Sequence, residues 1–499
     1  MIGKVPGMLQ RALLPGAARG ERCVIYSQRS MMAKLDLIVV VAYMAGILAA
    51  GFWARRKATT QDQFLVAGRS VGPWLYSGTL AAIVLGGAST VGGVKLGYQY
   101  GISGMWFVFM LGLGIIVLSA VFVERILGLK LYTVPELLEK RYSPSARVVG
   151  GVVMVAYDLM VSVTATIAVG SVMEVIAGIP RTPAIFISSG VMVAYSVLGG
   201  MWSLTLTDII QFVIKTVGIF FILLPGAILH AGGLSAMHVR LPAEFFSLTH
   251  IGAGKILSFF VLYFFGIIIG QDVWQRVFTA RSVKVARNGG IGVGFYCLCY
   301  ALAGALIGTA GRVFLPPLAE ADAAFAEIVN AVLPVGLRGL VLAAALAAIM
   351  STASACLLAA STVLLEDVYL RLRGAVNAGS IAQSRTITLA LGIVMTVLSC
   401  VMHDVIAALT VAYDFLVGGL LVPVIGAMLW RRGTTAGALA SIAVGGTLVA
   451  VLLAVTGLES DLPIYVGLGA SLLVYVLVSL GIGLSAASTA QARGPGPLG

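Results

Sequence analysis

Long apolar runs dominate this chain from residue 35 to about residue 484, and short polar segments separate them. A run of about 20 apolar residues in α-helical conformation is long enough to cross the hydrocarbon core of a membrane. The pattern therefore predicts an all-α polytopic membrane protein with about 13 transmembrane helices. The segments between and after these runs are too short to form a water-soluble domain.

The distribution of basic residues predicts the orientation of these helices. Hydrophobic residues make up 60% of the chain and charged residues 10%, yet the formal net charge is +12. Cytoplasmic loops of membrane proteins are rich in Lys and Arg, so this charge does not indicate nucleic-acid binding. We expect a multi-pass protein of the plasma (inner) membrane with a short cytoplasmic tail at residues 485–499. The basic segments behind this orientation are residues 55–69, 125–147, 276–287, 371–385 and 431–432.

The first 34 residues conflict with this orientation. They are strongly basic, with Glu21 as their single acid, although the orientation places them outside the cell. They also lack the apolar core and the cleavage site of a signal peptide. We interpret residues 1–34 as the product of a start codon assigned too early, with Met31 or Met32 as the first residue.

Small hydroxyl residues cluster in the middle of the apolar segment 333–369. Ala348, Ser351, Thr352 and Ala355 are spaced i, i+3, i+4 and i+7, so they share one face of a helix. Hydroxyl oxygens at membrane depth are suitable ligands for a small hard cation. Close packing between helices, where Ser, Thr and Ala are enriched, is the alternative explanation.

A glycine-rich interruption falls within the span of residues 74–98. Gly86 and Gly87 lie in the middle of this span, and glycine weakens a helix by about 1 kcal/mol per residue relative to alanine. Unwinding near residues 82–87 frees backbone carbonyls, and broken helices of this kind mark binding sites in transporters. Tight helix packing is again the alternative.

Three acids and one lysine lie within apolar spans. Asp208, Asp158 and Asp414 are expected to face the interior of the bundle, since a charge at the bilayer centre costs about 2.5–3.5 kcal/mol or more. Helix capping is the alternative for Asp208, and a protonated or hydrogen-bonded structural role is the alternative for the other two. Lys215 could pair with an acid or extend to the membrane surface, and the sequence does not distinguish these.

Other chemistries have little support in the sequence. The five cysteines form no CxxC pair and the four histidines do not cluster with acids, so we expect neither a disulfide framework, a zinc-type metal site nor an enzyme. No Walker motif is present, so we do not expect ATP to drive this chain directly.

Several short motifs in a fixed order resemble the sodium:solute symporter family. Each motif is weak alone, but the ordered set is specific and covers nearly the whole of residues 35–484. The motifs are FLVAGRS at 64–70, GGVKLGY at 92–98, YSVLGGM at 195–201, TDIIQ at 207–211, QDVWQR at 271–276, LPVG at 333–336, MST at 350–352, DVY at 367–369 and WRR at 430–432.

This resemblance implies a fold. Members of the family have the five-plus-five inverted-repeat core of the leucine-transporter class, with flanking helices. On this chain the membrane domain would comprise residues 35–484, with repeats at about residues 70–230 and 254–430.

The resemblance also implies sodium ligands. The family's main sodium site maps onto the carbonyls of Ala82 and Leu85, the carbonyl of Ala348, and the hydroxyls of Ser351 and Thr352. Some members hold a second sodium, which would here use Asp208 with Ser351 and Ser354. A serine often found at that second site is Ala355 in this chain, so the number of sodium ions is left open.

The expected substrate is a small organic solute, such as a monocarboxylate or an amino acid. Gly86, Gly87 and Ser89 offer small side chains and backbone N–H groups that suit a compact carboxylate. Asp158 and Asp414 instead favour an amine or a zwitterion if they line the pocket, and Tyr413 is a further candidate substrate residue. Sugar-transporting members of the family have polar side chains where this chain has Gly86, Gly87 and Ala88, so the resemblance argues against a sugar.

These features together predict a sodium-coupled importer of a small solute. Its partners are the solute, Na⁺ as the coupling ion and membrane lipid, and the sequence does not indicate an oligomeric state. Proton coupling through Asp208 or Asp158 is the first alternative. A transporter-like sensor that acts with a separate signalling partner is the second.

Overall fold

The computed structural model describes residues 34–318, 321–374, 379–402, 405–458 and 460–492. The predicted N-terminal tail up to residue 33, with its proposed start site, lies outside the described residues, as do residues 493–499 of the predicted C-terminal tail. The bounds of the predicted domains and repeats therefore stay predictions.

The described residues are folded into α-helices joined by short loops, with a single isolated β-bridge between Val71 and Ala280. The helices of the first half are α1 (Lys34–Ala54), α2 (Gln61–Val66), α3 (Pro73–Val84), α4 (Gly93–Tyr100), α5 (Trp106–Val117), α6 (Val123–Gly128), α7 (Val134–Arg141), α8 (Pro144–Ala177), α9 (Arg181–Thr216), α10 (Leu224–His230) and α11 (Gly233–Arg240).

The second half continues the same all-α architecture. Its helices are α12 (Ala253–Phe259), α13 (Phe265–Ile269), α14 (Gln271–Val277), α15 (Val283–Phe314), α16 (Ala324–Val332), α17 (Leu337–Val363), α18 (Leu370–Leu372), α19 (Ile381–Val401), α20 (Val405–Leu416), α21 (Val422–Leu429), α22 (Thr435–Thr456) and α23 (Leu462–Ala492). Short π-helical segments at Ala88–Gly92, Leu118–Phe122, Val217–Leu223, Phe260–Phe264, Leu364–Tyr369 and Val417–Leu421 join several of them.

Ten helical stretches among the described residues are long and apolar enough to cross a membrane, or eleven if one bent pair counts as a single span. The predicted number of about 13 is thus not confirmed. The longest stretch, Arg181–His230, has 50 residues and would measure roughly 75 Å as one straight helix. It turns sharply at Gly200, where φ is 51°, and a side chain there would collide with Phe64.

Hydroxyl side chains mark the starts of several helices. Each accepts a hydrogen bond from a backbone N–H in the first helical turn, which would otherwise lack a partner. At α19 the reciprocal bonds of Ser380 and Gln383 complete a capping box. The N-cap residues with such bonds are Thr60, Thr133, Ser143, Ser282, Ser380 and Thr434.

Helix α17 lies at the centre of the bundle and is almost entirely buried. It packs against α8, α9 and α1, while α22 and α23 lie at the periphery and expose many large apolar side chains. Small residues on α17 permit close approach of its neighbours, as is usual for helix contacts in membranes. The hydroxyl stripe is therefore held in the middle of the protein.

Two interrupted helices pack beside α17. Helix α3 ends at Val84, and Leu85 has a non-helical conformation with φ −100° and ψ 69°. The predicted break near Gly86 and Gly87 is thereby confirmed. A Cβ atom on Gly86 would lie 2.2 Å from the Thr352 hydroxyl oxygen, so glycine is needed for this close approach. The second interruption is a 44° bend between α13 and α14.

Candidate functional site

The predicted ligands on α17 lie directly against the break between α3 and α4. The Ser351 hydroxyl donates to the Ala82 carbonyl at 2.8 Å and to the Ala348 carbonyl at 3.0 Å. The Thr352 hydroxyl donates to the Ile83 carbonyl at 2.6 Å. The last carbonyls of a helix have no hydrogen-bond partner within that helix. Here the hydroxyls of α17 replace the backbone N–H donors that the break removes. The oxygen atoms predicted from the hydroxyl stripe and the broken helix are thus brought together.

A lysine side chain also bonds the carbonyls at the end of α3. The buried Lys215 ammonium donates to the carbonyls of Leu85 at 2.9 Å, Ala81 at 3.2 Å and Ala82 at 3.3 Å. Two of these three oxygens, Ala82 and Leu85, are predicted sodium ligands. From the sequence, the possible partners of this lysine were an acid or the membrane surface. In the structure its ammonium is buried and bonds backbone carbonyls instead.

The residues of the predicted second sodium site have other partners. Asp208 accepts hydrogen bonds from the Thr79 hydroxyl and, at 3.2 Å, from the Arg276 guanidinium, and all three residues are fully buried. The Ser354 hydroxyl donates to the Ser351 carbonyl at 3.2 Å. In the described part of the chain no hydrogen bond joins Asp208 to Ser351 or Ser354, so a second sodium stays a prediction.

A small cavity lies beside the break. Gly86, Gly87, Ser89 and Tyr413, all predicted substrate residues, line it, whereas Asp158 does not. The cavity volume is about 40 Å³, far below the roughly 300–1,000 Å³ of ordinary ligand pockets. A solute would therefore enter only after side chains around the cavity move.

The motif at residues 271–276 lies on α14 and contributes Asp272 to the lining of this cavity. Gln271 forms hydrogen bonds of 2.7 and 3.1 Å with the backbone at the start of α7, and Gln275 donates to the backbone of α2 at 2.9 Å. The Trp274 indole donates to the Ile268 carbonyl at 2.7 Å across the bend between α13 and α14. These bonds hold α14 in a defined position relative to the rest of the bundle.

Asp272 is the residue of this motif that faces the cavity. Its Oδ2 atom accepts a long hydrogen bond of 3.8 Å from the Cys356 thiol, and its buried Oδ1 atom has no hydrogen-bond partner. The aromatic rings of Tyr263 and Tyr413 line the same cavity, with centroids 5.0 Å apart. From the sequence, this motif contributed only to the family resemblance. An acid that follows an apolar span is a signal that could have identified Asp272.

Asp158 and Asp414, the other acids singled out in the apolar spans, are buried outside the cavity lining. None of their four carboxylate oxygens has a hydrogen-bond partner. Their contribution to solute binding therefore stays a prediction, without a contact that supports it.

Comparison with known proteins agrees with this architecture. The model of the sodium:solute symporter family matches residues 64–445. The sodium/pantothenate symporter of Escherichia coli (strain K12) is 29% identical over 450 residues, which cover 84% of this chain and 91% of the relative. The high-affinity proline transporter PutP of Bacillus subtilis (strain 168) is 28% identical, covering 87% and 95% respectively.

A solved structure of a Na⁺-coupled sialic acid symporter in a substrate-bound outward-open state has a similar fold. Its TM-score is 0.78 at 19% identity, and the match covers 90% of this chain and 97% of that chain. The likeness confirms the predicted all-α fold of the leucine-transporter class. The family match confirms the predicted solute symport with Na⁺ as the coupling ion, and leaves the substrate open. Both the order of its motifs and the match over most of its length show that the chain belongs to the sodium:solute symporter family.

Proposed function

We propose that this protein couples the entry of Na⁺ to the import of a small zwitterion, such as an amino acid, across the plasma membrane. The observation that carries the choice of substrate is the buried Asp272 carboxylate. Asp272 lines the cavity bounded by the broken helix, and its Oδ1 atom has no hydrogen-bond partner among the described residues. An ammonium group on the solute would supply the missing donor. Burial of an unpaired polar group is costly, so the cavity favours a solute that carries such a donor.

The residues after the break, which line the same cavity as Asp272, support binding of a carboxylate. The helical segment after the break begins at Gly87, and the first N–H groups of a helix have no partner within it. These N–H groups and the positive end of the helix dipole attract anions. Gly86, Gly87 and Ser89 line the cavity, so the solute's carboxylate can approach the backbone closely. A positive and a negative end in one small cavity match a zwitterion.

The relatives are consistent with this choice without determining it. Two of them are named for pantothenate and proline, and proline is a zwitterion. We propose an amino-acid-like solute because Asp272 lines the cavity.

Sodium would act at the break between α3 and α4. We assign its ligands as the carbonyls of Ala82, Leu85 and Ala348 and the hydroxyls of Ser351 and Thr352. The hydrogen bonds between α17 and the broken helix support this set, because they place the oxygens on facing surfaces. A bound cation would bridge the two helices and favour the outward-open state. Its release to the cytoplasm would loosen that bridge.

The membrane potential is sufficient to drive such import. One elementary charge that moves through 100 mV contributes about 2.3 kcal/mol, which corresponds to roughly 50-fold accumulation. The sodium gradient adds to this value. We place the C-terminus in the cytoplasm because the basic loops then lie inside.

The proposal can be tested in liposomes that contain the purified protein. Uptake of radiolabelled amino acids, monocarboxylates and amines would be measured with and without an inward sodium gradient. We expect sodium-driven uptake of an amino acid, and we expect Asp272→Asn to raise its KM by about tenfold or more because a charged hydrogen bond is lost.

Asp414→Asn is the matched control, since Asp414 is a buried acid outside the cavity lining. Its KM should stay close to the wild-type value. Sodium-driven uptake of a monocarboxylate alone, unchanged in Asp272→Asn, would disprove the zwitterion. Uptake that follows a proton gradient and ignores sodium would favour the proton-coupled alternative.

A further inference from the structure

We propose that the Lys215 ammonium is a tethered cation that competes with sodium for the carbonyl oxygens at the end of α3, and that sodium binds when this side chain withdraws. The inference rests on the proposed function, because it concerns the same carbonyls of Ala82 and Leu85. It assigns to Lys215 control over the sodium affinity of the transporter.

The geometry at Lys215 is that of a binding site for a monovalent cation. Three carbonyl oxygens lie 2.9, 3.2 and 3.3 Å from the Nζ atom, and an ammonium group has three N–H donors to match them. All three carbonyls belong to the end of one helix, where partial negative charge accumulates. The hydrogen bonds of the ammonium are thus all to backbone carbonyls at the end of α3.

Two ionisable groups lie near the lysine, the Asp208 carboxylate on α9 and the Cys297 thiol on α15. Asp208 is bonded to Thr79 and Arg276, and among the described residues it forms no salt bridge with Lys215. The hydrogen-bond partners of the ammonium are the carbonyls of the broken helix.

Sodium and the ammonium cannot share these oxygens. Both would lie about 3 Å or less from the carbonyls of Ala82 and Leu85, and two positive charges so close in a buried site repel each other strongly. The lysine side chain has four flexible methylene groups, so the ammonium can move while the backbone stays in place. The buried Oδ1 atom of Asp208 has no hydrogen-bond partner and is an acceptor for the displaced ammonium.

This arrangement has a direct consequence for transport. When the Lys215 ammonium bonds the carbonyls at the end of α3, these oxygens have hydrogen-bond partners without sodium. The transporter without bound sodium therefore keeps the contact between α9 and the broken helix. Sodium binding must then displace a cation that is always present at high local concentration. We expect the wild-type protein to need a higher sodium concentration than a variant without this charge.

The test is direct binding of ²²Na⁺ to the purified protein in lipid nanodiscs. In Lys215→Met the side chain keeps most of its length and loses its charge, and Lys215→Gln also loses the charge but keeps N–H donors for the carbonyls. We expect both variants to bind sodium about tenfold more tightly than the wild type, because the repulsion by the ammonium charge is removed in both. Lys95→Met, which removes a partly buried lysine paired with Asp322, should leave the affinity unchanged.

Sodium affinity in both Lys215 variants that equals or falls below the wild-type value would overturn the inference. Adding Ser351→Ala to Lys215→Met should weaken the binding again, which locates the ion at this site. Unchanged binding in that double variant would place the ion elsewhere and would also overturn the inference. Failure of the proposed function is seen separately, as absence of sodium-driven uptake by the wild-type protein in liposomes.

Discussion

Two regions beside α17 each contain a cation supplied by the protein itself, and they differ in what that cation contacts. At the break after α3, the Lys215 ammonium is bound by three backbone carbonyls. At Asp208, the Arg276 guanidinium contacts a full negative charge at 3.2 Å in a fully buried pair. A carbonyl dipole can exchange one cation for another, whereas a buried carboxylate and guanidinium depend on each other. The first region is suited to ion exchange and the second to holding helices together.

The same comparison applies to the two predicted sodium sites, both of which stay predictions. The oxygens assigned to the first site lie on facing surfaces of α17 and the broken helix. The acid assigned to the second site is engaged by Thr79 and Arg276. Three variants test this contrast.

The largest effect should follow from Asp208→Asn. This substitution leaves the Arg276 guanidinium buried without a counter-charge, so we expect a loss of about 3–5 kcal/mol in the free energy of unfolding. Denaturant titration in a mild detergent would measure it. Asp414→Asn, in a buried acid without bonded partners, should cost much less. Equal losses in the two variants would show that the pair with Arg276 has no special structural role.

A smaller loss is expected for Gly86→Ala. The added Cβ atom would lie 2.2 Å from the Thr352 hydroxyl oxygen, and overpacking of this kind costs about 1–3 kcal/mol. Gly93→Ala is the control, because the nearest atom to its Cβ, in Val108, lies at an ordinary 3.7 Å. The same unfolding measurement applies. A stable Gly86→Ala variant with normal sodium binding would mean that the break and α17 need not approach so closely.

The smallest change in free energy should come from Ser351→Ala combined with Thr352→Ala. Sodium would lose two hydroxyl ligands, so we expect the sodium concentration for half-maximal uptake to rise about tenfold, equivalent to about 1.4 kcal/mol. Ser361→Ala is the control, since that hydroxyl only donates back to the carbonyl of Leu357 on its own helix. An unchanged sodium dependence in the double variant would remove these hydroxyls from the sodium site.

The sequence was a good guide to the site wherever one helix supplied the pattern. Periodicity alone grouped Ser351 and Thr352 on one face, and Gly86 and Gly87 marked a break that the structure confirms at Leu85. The family resemblance then joined these two segments, and their hydrogen bonds place them in contact. Each of these features is encoded within fewer than ten consecutive residues.

The sequence was a poor guide wherever charged groups from separate helices meet. It left the partner of Lys215 open, did not single out Asp272, and gave no partner for Arg276. These contacts join residues that are 68 or more positions apart, the smallest separation being that between Asp208 and Arg276. Helical periodicity relates only residues that are close in sequence, so it could not predict these contacts.

The all-α membrane architecture, the family, the hydroxyl stripe and the interrupted helix follow from the amino-acid sequence, because hydrophobic periodicity and glycine act on neighbouring residues through helix geometry and backbone freedom. The choice of the cation that each buried oxygen contacts is made by the packing of the helices. That choice depends on distances of about 3 Å between side chains of different helices, and electrostatic energies in a buried site change steeply over such distances. The carbonyls of the broken helix are bound by Lys215 and the Asp208 carboxylate by Arg276 because the packing of α3, α9 and α14 places those groups within reach.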